Sequence, residues 1–300
     1  MSRIINEYHL GRSCIIAEDR KNRPFIGIEK NKCPFCVENE QMIENIWLES
    51  SKDNEFVARI VNNKYPICGV DEPLYGIHDV VIDTSWHTQD PKDFSITHWE
   101  SIFLLMQNRW KDLKENPRIH FIQIFKNWGK NSGASIAHSH WQIVALEEIP
   151  VTMLKEYEYS KESCVICQMM KAIEHENIIL ESDQWFLIAP SAPQMLYETW
   201  IIPKKHLTNY EEIDGKEIKD LSEILSKLLK SYHLMKVDTA YNICIMSGRP
   251  NEKSQYHFYI KVIPRVGNFA GFELATGCSI SIINPKQYAK EIADLVGRNL

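Results

Sequence analysis

The apolar residues of the chain follow two different periods, and these separate helices from strands. In residues 99–113 and 216–234, apolar side chains recur every three or four positions, as on one face of an amphipathic helix. In residues 118–125 and 256–264, apolar and polar side chains alternate, as in a strand with one buried face. Helices are few relative to strands and do not alternate strictly with them. The pattern therefore predicts an α+β fold in which helices pack on antiparallel sheets.

The residue types that bind metals occur in the same order in both halves of the chain. Each half has a Cys-x-x-Cys pair, then an apolar strand that ends near a histidine, then a late strand that carries another histidine. In the first half these are Cys33 and Cys36, residues 80–82 with His87, and His138; in the second they are Cys164 and Cys167, residues 200–203 with His206, and His257. A repeat of this length indicates duplication of one α/β unit. We place the boundary near residue 150, which predicts lobes at residues 1–150 and 151–300.

Each set of two cysteines and two histidines matches the four ligands of a closed tetrahedral zinc site. The sequence therefore predicts two metal sites, one formed by Cys33, Cys36, His87 and His138 and the other by Cys164, Cys167, His206 and His257. His78 is the rival to His87. It precedes its apolar strand, whereas His206 follows the corresponding one, so the repeat favours His87, and His78 is interpreted as a histidine at a sheet edge. The second site is left open between zinc, iron and no metal.

Composition and charge exclude several classes of protein. The formal net charge of −6 argues against binding to a nucleic acid backbone, and a hydrophobic content of 44% excludes a disordered chain. The longest apolar runs, at residues 101–106 and 279–283, have the length of core elements and fall short of the roughly 18 residues that cross a membrane. The first residues lack the apolar region of a secretion signal. We therefore expect a cytoplasmic protein whose eight cysteines are reduced, so that its Cys-x-x-Cys pairs indicate metal sites.

Residues 125–142 carry the most specific candidate chemistry. A strand leads into a loop rich in glycine, asparagine and serine, and a second strand follows in which three polar side chains share one face: His138, His140 and Gln142. Gly129 and Gly133 permit the positive φ angles that aim backbone N–H groups at an anion. Further donors in or beside the loop are the Ser135 hydroxyl and the ammonium group of Lys126 or Lys130. The segment therefore predicts a phosphate group presented to an imidazole.

Histidine suits nucleophilic attack on phosphorus because its ring is largely neutral near pH 7. The phospho-imidazole that results is reactive enough to pass its group to a second acceptor. A metal bound to His138 would stiffen the strand and fix the direction of His140. Gln142 would hydrogen-bond the phosphoryl oxygens as charge shifts in the transition state. We therefore predict that His140 is the nucleophile.

These motifs resemble those of the galactose-1-phosphate uridylyltransferase family, a two-lobed branch of the histidine-triad-like fold, and especially its ADP-sugar phosphorylase branch. The resemblance runs nearly end to end, through residues 11–12, 20–24, 33–36, 63–66, 76–82, 138–142, 200–203 with 206, and 271–277. Ser139 matches the adenylyl branch, since the uridylyltransferases have proline between the two histidines. Trp141 is bulkier than the residue that the family usually has there, and strand alternation predicts that it faces away from His140.

The resemblance implies a nucleotidyltransferase. A nucleoside monophosphate, AMP or UMP, would move from an NDP-sugar to a sugar 1-phosphate or inorganic phosphate by a ping-pong mechanism through nucleotidyl-His140, in a catalytic first lobe. The implied helper is Gln142, the implied nucleotide contacts are Asn63, Asn127 and Ser135, and the implied sugar contact is Glu273. The loop's own residues add Gly133 as a phosphate contact and Ser135 as a second helper. The family also suggests a homodimer. Two alternatives remain open: a nucleotide hydrolase of the histidine-triad type, and a zinc-stabilised nucleotide-binding protein without turnover.

Overall fold

The computed structural model of the protein describes residues 1–22, 30–43, 45–52, 55–236 and 240–298. Residues 23 and 24 of the motif at 20–24 lie outside these described residues. Most of the described chain forms one ten-stranded antiparallel sheet with helices packed on it, which confirms the predicted α+β class. No helix in the described ranges combines the length and apolar character needed to cross a membrane.

The elements follow one another in two similar series. The strands are β1 (Ser2–Glu7), β2 (Arg12–Ala17), β3 (Ile46–Lys52), β4 (Glu55–Asn62), β5 (Gly76–Ile82), β6 (Phe121–Trp128), β7 (His140–Leu146), β8 (Ile178–Glu181), β9 (Trp185–Ile188), β10 (Thr199–Pro203), β11 (Tyr241–Met246) and β12 (Tyr259–Pro264). The helices are α1 (Ile96–Lys114), α2 (Val151–Tyr159), α3 (Val165–Ala172), α4 (Gly215–Leu234), α5 (Gly271–Thr276) and α6 (Pro285–Arg298). Strands β1 and β2 form a separate hairpin.

The order of strands across the large sheet reveals a duplicated unit. The order is β3-β4-β5-β7-β6-β11-β12-β10-β9-β8. At its centre β6 pairs with β11, with Ile124 opposite Ile245, and this pairing joins the strands before residue 150 to those after it. Outward from the centre, β7, β5, β4 and β3 correspond to β12, β10, β9 and β8, and α1 corresponds to α4. The predicted duplication is therefore confirmed, whereas the exact domain boundary stays a prediction.

Helices α1 and α4 pack against each other and against one face of the sheet. Ser95 caps α1 by accepting a hydrogen bond from the N–H of His98, and Asp214 caps α4 in a capping box with Glu217. Both helices were predicted from their apolar spacing, at residues 99–113 and 216–234. The caps explain why each begins slightly earlier than the apolar pattern does. Their buried faces include Trp99, Phe103, Trp110, Leu221, Leu225 and Leu228.

Strand β7 positions the candidate site because its two faces have different neighbours. Trp141 is fully buried against α1, with its ring centroid 6.4 Å from that of Trp99 and 6.2 Å from that of Phe103. Alternate residues of a strand point to opposite faces, so His140 and Gln142 lie on the face away from α1. The prediction that Trp141 faces away from His140 is therefore confirmed, and its ring fills the core.

Four predicted elements differ from the structure. The strand predicted to carry His138, His140 and Gln142 on one face is β7, which begins only at His140, so His138 lies in the loop before it. The strand predicted at residues 118–125 is β6, which begins and ends three residues later, and the strand predicted at residues 256–264 begins only at Tyr259. Residues 279–283, expected to have the length of a core element, form neither helix nor strand, and Ile280 and Ile282 are 63% and 84% exposed. Apolar run length alone does not determine burial, because burial also requires another element to pack against the run.

Candidate functional site

The first Cys/His cluster lies where three loops meet beside the first half of the sheet. Cys33 and Cys36 come from one loop, His87 follows β5, and His138 precedes β7; all four are buried, with their ligand atoms within 4.8 Å of one another. Sulfur–nitrogen distances run from 3.3 Å (Cys36 Sγ to His87 Nδ1) to 3.7 Å (Cys33 Sγ to His138 Nδ1). Tetrahedral bonds of about 2.3 Å to sulfur and about 2.0 Å to nitrogen place these atoms roughly 3.5 Å apart. The cluster can therefore hold a metal ion.

The surroundings of this cluster also suit a metal. His138 Nε2 donates to the backbone oxygen of Thr84 at 2.8 Å, which directs Nδ1 at the two sulfurs. Burial raises the pKa of Cys33 to about 12 and lowers the pKa of His138 to about 4. Two adjacent buried thiols become thiolates only if a cation stabilises them, and a metal ion supplies that charge.

The second cluster has the same plan but is more exposed. Cys164 and Cys167 lie at the start of α3, His206 follows β10, and His257 precedes β12; the sulfur–nitrogen distances are 3.3 to 3.6 Å. His257 Nε2 donates to the backbone oxygen of Pro203 at 3.1 Å, as His138 does to Thr84. His206 is exposed and Cys167 half-buried, whereas the first cluster is entirely buried. Both clusters can hold a metal, with different access to solvent.

The two ring nitrogens of His140 have different surroundings: one donates a hydrogen bond and the other has no partner among the described residues. Nδ1 donates to the backbone oxygen of His138 at 2.9 Å, so the lone pair of the neutral ring lies on Nε2. Burial lowers the pKa of His140 to about 4, which keeps the ring neutral near pH 7. No residue in the described ranges bonds to Nε2, and His140 lines a cavity. This is the arrangement that a nucleophilic imidazole requires.

The cavity beside His140 is lined mostly by apolar side chains, with a few polar ones among them. Phe35 packs edge-on against both histidine rings, with centroids 6.0 Å from that of His138 and 5.2 Å from that of His140. The Cys-x-x-Cys loop that contains Phe35 therefore forms part of both the metal cluster and the cavity. An apolar slot with a few polar groups suits a ligand with a flat ring and a polar end. The walls include Phe35, Ile43, Val61, Val80 and Ile136, with Asn63 and Gln142 among the polar groups.

The glycine-rich loop has the predicted backbone geometry. Gly129 and Gly133 have φ angles of 80° and 86°, in the region that favours glycine. The Ser135 hydroxyl is buried and has no hydrogen-bond partner among the described residues, which leaves it able to bond a ligand. Asn127 instead accepts a hydrogen bond from Asn242 at 2.7 Å. Asn127, Gly133 and Ser135 are not among the cavity walls, so their nucleotide contacts stay predictions.

The structure does not support a phosphate contact at Lys126. Its ammonium group is fully buried, 2.5 Å from Asp83 Oδ2, and it donates to the Ser139 hydroxyl at 2.6 Å. Lys126 pairs with Trp141 across β6 and β7, so both face the helix layer, on the side opposite His140. The interpretation of Lys126 as a phosphate ligand is therefore wrong. Lys126, paired with Asp83, instead holds Ser139, the residue between His138 and His140, through the hydrogen bond to its hydroxyl.

His78 is a second residue whose position differs from the prediction. Its strand, β5, lies inside the sheet between β4 and β7, and its side chain is buried, so the prediction of a sheet-edge histidine is wrong. Its Nε2 lies 3.1 Å from Oε1 of Gln142. This contact depends on the pairing of strands far apart in sequence. In the sequence, the only indication that His78 belongs to the site was its position in the motif at residues 76–82.

Glu273 lies apart from the cavity. It belongs to the short helix α5, and its carboxylate accepts a hydrogen bond from the N–H of Ala270 at 3.0 Å. Its neighbours Phe272 and Leu274 are 55% and 67% exposed. The structure of one chain does not bring Glu273 to the cavity walls, and the predicted sugar contact stays a prediction.

The second lobe has an aromatic cluster where the first lobe has its cavity. Tyr259 begins β12 as His140 begins β7, so a tyrosine occupies the position of the candidate nucleophile. Its ring packs against Trp200, with centroids 5.0 Å apart, and beside it Tyr256 donates to Glu156 of α2. Burial raises the pKa of Tyr259 well above its usual value. The second lobe therefore has no imidazole at the position that corresponds to the candidate nucleophile.

Comparisons with known proteins agree with the two-lobed fold. Residues 171–268 match the HIT domain family, and residues 17–149 match the N-terminal domain of the DUF4931 family, a domain of unknown function. ADP-glucose phosphorylase from Arabidopsis thaliana is 27% identical over 291 residues, covering 88% of this chain and 82% of that protein. Galactose-1-phosphate uridylyltransferase from Thermotoga maritima is 23% identical over 310 residues, covering 93% and 94%.

Solved structures of the same two kinds of enzyme are similar to this chain. The crystal structure of the Arabidopsis thaliana ADP-glucose phosphorylase with bound ADP-glucose has a TM-score of 0.79 at 26% identity, covering 98% of this chain and 99% of that one. A uridylyltransferase structure has a TM-score of 0.83 at 20% identity over the whole of both chains, which shows a shared fold. Residues 171–268 therefore match a HIT domain, and the chain is similar over nearly its whole length to ADP-glucose phosphorylase and to galactose-1-phosphate uridylyltransferase.

Proposed function

We propose that the protein is a nucleotidyltransferase that moves AMP or UMP from an NDP-sugar to a sugar 1-phosphate or inorganic phosphate. The transfer is ping-pong and proceeds through nucleotidyl-His140. The proposal rests on the His140 ring. Its Nδ1 donates a hydrogen bond to the backbone oxygen of His138, whereas its Nε2 has no hydrogen-bond partner among the described residues, and the side chain lines the cavity. The relatives named as ADP-glucose phosphorylase and galactose-1-phosphate uridylyltransferase support this class of reaction.

In the first half-reaction, Nε2 of His140 attacks the α-phosphorus of the NDP-sugar. An N–P bond forms, the bond from that phosphorus to the bridging oxygen breaks, and the sugar 1-phosphate leaves with the bonding electrons. In the second half-reaction, a phosphate oxygen of the acceptor attacks the same phosphorus and His140 is released. The hydrogen bond from Nδ1 to the His138 oxygen stabilises the positive charge that the ring acquires on attack.

The remaining side chains of the site receive roles from their positions. The apolar slot formed by Phe35 and its neighbours takes the nucleobase, and Asn63 contacts the nucleotide. Gln142 donates to the phosphoryl oxygens, and the Ser135 hydroxyl, which has no partner in the described part of the chain, is a further donor. Glu273 would contact the sugar.

The metal in the first cluster is proposed to be zinc, because two thiolates and two neutral imidazoles form a set that zinc prefers. Cys33, Cys36, His87 and His138 would hold it. The bound ion would supply a rigid cross-link between these loops. His138 is thereby fixed two residues before the nucleophile. Zinc is also proposed for the second cluster on the same donor set.

Intact-mass spectrometry after mixing the protein with a panel of NDP-sugars tests the function. One donor should add the mass of one nucleoside monophosphate and release an equal amount of sugar 1-phosphate. Subsequent addition of the acceptor should remove the added mass. Binding of every donor without an adduct or turnover would indicate a nucleotide-binding protein. Discharge of the adduct by water alone, at a rate no acceptor increases, would indicate a hydrolase.

The two metals should leave at different rates when a chelator is added. The second cluster should empty first, because His206 is exposed whereas all ligands of the first cluster are buried. Zinc release into EDTA, followed by elemental analysis, should show two phases. Cys164→Ser should remove the fast phase and Cys36→Ser the slow one. Release in the reverse order would contradict this difference in access.

A further inference from the structure

We infer that His78 is a positioning residue that fixes the orientation of the Gln142 side-chain amide. This rests on the proposed function, in which Gln142 donates to the phosphoryl oxygens of the group on His140. His78 and Gln142 lie on adjacent strands, β5 and β7, where Val80 is directly opposite Gln142 and Val144 is opposite His78. They are diagonal cross-strand neighbours, close enough for long side chains to touch.

The hydrogen bonds of His78 determine which of its ring nitrogens carries the proton. The backbone N–H of Ile67 donates to Nδ1 at 3.2 Å, so Nδ1 is an acceptor. A neutral imidazole has one N–H group, and here it is on Nε2. Nε2 therefore donates to Oε1 of Gln142 at 3.1 Å. An interaction with a backbone N–H thus sets the direction of a hydrogen bond inside the site.

Asn63 lies against the same nitrogen without changing this assignment. Its Oδ1 accepts from the N–H of Tyr65 at 2.9 Å, so its Nδ2 is the atom 3.0 Å from His78 Nε2. Nδ2 is also a donor, so this contact is not a hydrogen bond in the assigned tautomer. The assignment rests on Ile67, because its backbone N–H is fixed in direction whereas the Asn63 side-chain amide can rotate. The acceptor for the imidazole hydrogen is the amide oxygen of Gln142.

The consequence for Gln142 is a single amide orientation. A carboxamide has an acceptor oxygen and a donor nitrogen of nearly equal size, so packing alone does not distinguish its two orientations. With Oε1 bonded to His78, the Nε2 hydrogens of Gln142 are on the other side of the amide. No residue within the described ranges accepts them, and Gln142 lines the cavity beside His140. In the reverse orientation, an oxygen lone pair would face the phosphoryl oxygens and repel them.

Two variants of similar size separate the hydrogen bond from the packing. His78→Gln keeps an N–H donor near the position of Nε2, whereas His78→Met fills comparable space without one. We expect His78→Met to slow single-turnover formation of the nucleotidyl adduct by roughly 10- to 100-fold, with a much smaller change in the KM for the donor. His78→Gln should recover most of that rate. His78→Asn, whose amide is too short to reach Oε1, should behave like His78→Met if the methionine variant does not fold.

A double-mutant cycle tests whether His78 acts through Gln142. In a Gln142→Ala background, His78→Met should slow adduct formation by less than about twofold, because the group that it orients is absent. His120→Met, which replaces an exposed histidine just before β6, should leave the rate unchanged. Wild-type protein that forms no adduct would overturn both the proposed function and this role. A wild-type adduct together with equal rates for His78→Met and His78→Gln, or additive losses in the cycle, would overturn the role of His78 alone.

Discussion

His140→Ala should abolish nucleotidyl labelling and transfer while leaving metal content and melting temperature near those of the wild type. The side chain lines a cavity and its Nε2 has no partner among the described residues, so its removal takes away the nucleophile, one hydrogen bond to a backbone oxygen and one ring contact with Phe35, but no metal ligand. Without a nucleophile no covalent intermediate forms, and losses of this kind reach several orders of magnitude. Intact mass after mixing with the native donor measures the label, and product formation measures the transfer.

His138→Ala is the matched control, because it removes an imidazole only two residues away. Nδ1 of His138 lies 3.7 Å from Cys33 Sγ and 3.6 Å from Cys36 Sγ, so this variant should lose metal and stability first, with activity falling as a result. His140→Gly adds a sharper measurement. A nucleoside 5′-phosphorimidazolide supplied in solution should restore the second half-reaction in that variant. Full transfer by His140→Ala with the native donor would exclude the covalent mechanism.

The metal clusters and the duplication could be predicted because short motifs and their repeated order along the chain identify them. A Cys-x-x-Cys pair places two sulfurs together by spacing alone, and the repeated order selected His87 and His206 as the further ligands. The structure brings those residues into both clusters. Helices α1 and α4 could also be predicted, because their apolar spacing extends over several turns.

The errors concern residues whose surroundings depend on strand pairing. The first strand was predicted to end at residue 125, so Lys126 was counted with the loop and named, with Lys130 as the alternative, as a donor to phosphate. Strand β6 continues to Trp128, and Lys126 is therefore fixed on the helix-facing side, paired with Asp83. His78 was misjudged for a similar reason. Whether β5 lies at an edge or inside the sheet is decided by β4 and β7, and one strand's own sequence does not contain that information.

Cys33→Ser should remove one equivalent of zinc and lower the stability of the first lobe. The other three ligands of its cluster are buried, so loss of the metal leaves them without their common partner. Each unsatisfied buried polar group costs about 1–3 kcal/mol. We expect a total loss of at least about 2 kcal/mol, which corresponds to a melting temperature lower by roughly 4–8 °C. Thermal unfolding and elemental analysis of the same samples measure both effects.

Two further cysteine variants separate metal loss from other consequences of the substitution. Cys68→Ser changes a cysteine that is 1% exposed and outside both clusters, so it should keep all bound zinc and report only the cost of a buried hydroxyl. Cys164→Ser should lose the other zinc and still become labelled on His140. Cys33→Ser should label slowly, because Phe35 lies in the same loop with its ring centroid 5.2 Å from that of His140. A full complement of zinc in Cys33→Ser would contradict the assignment of this ligand.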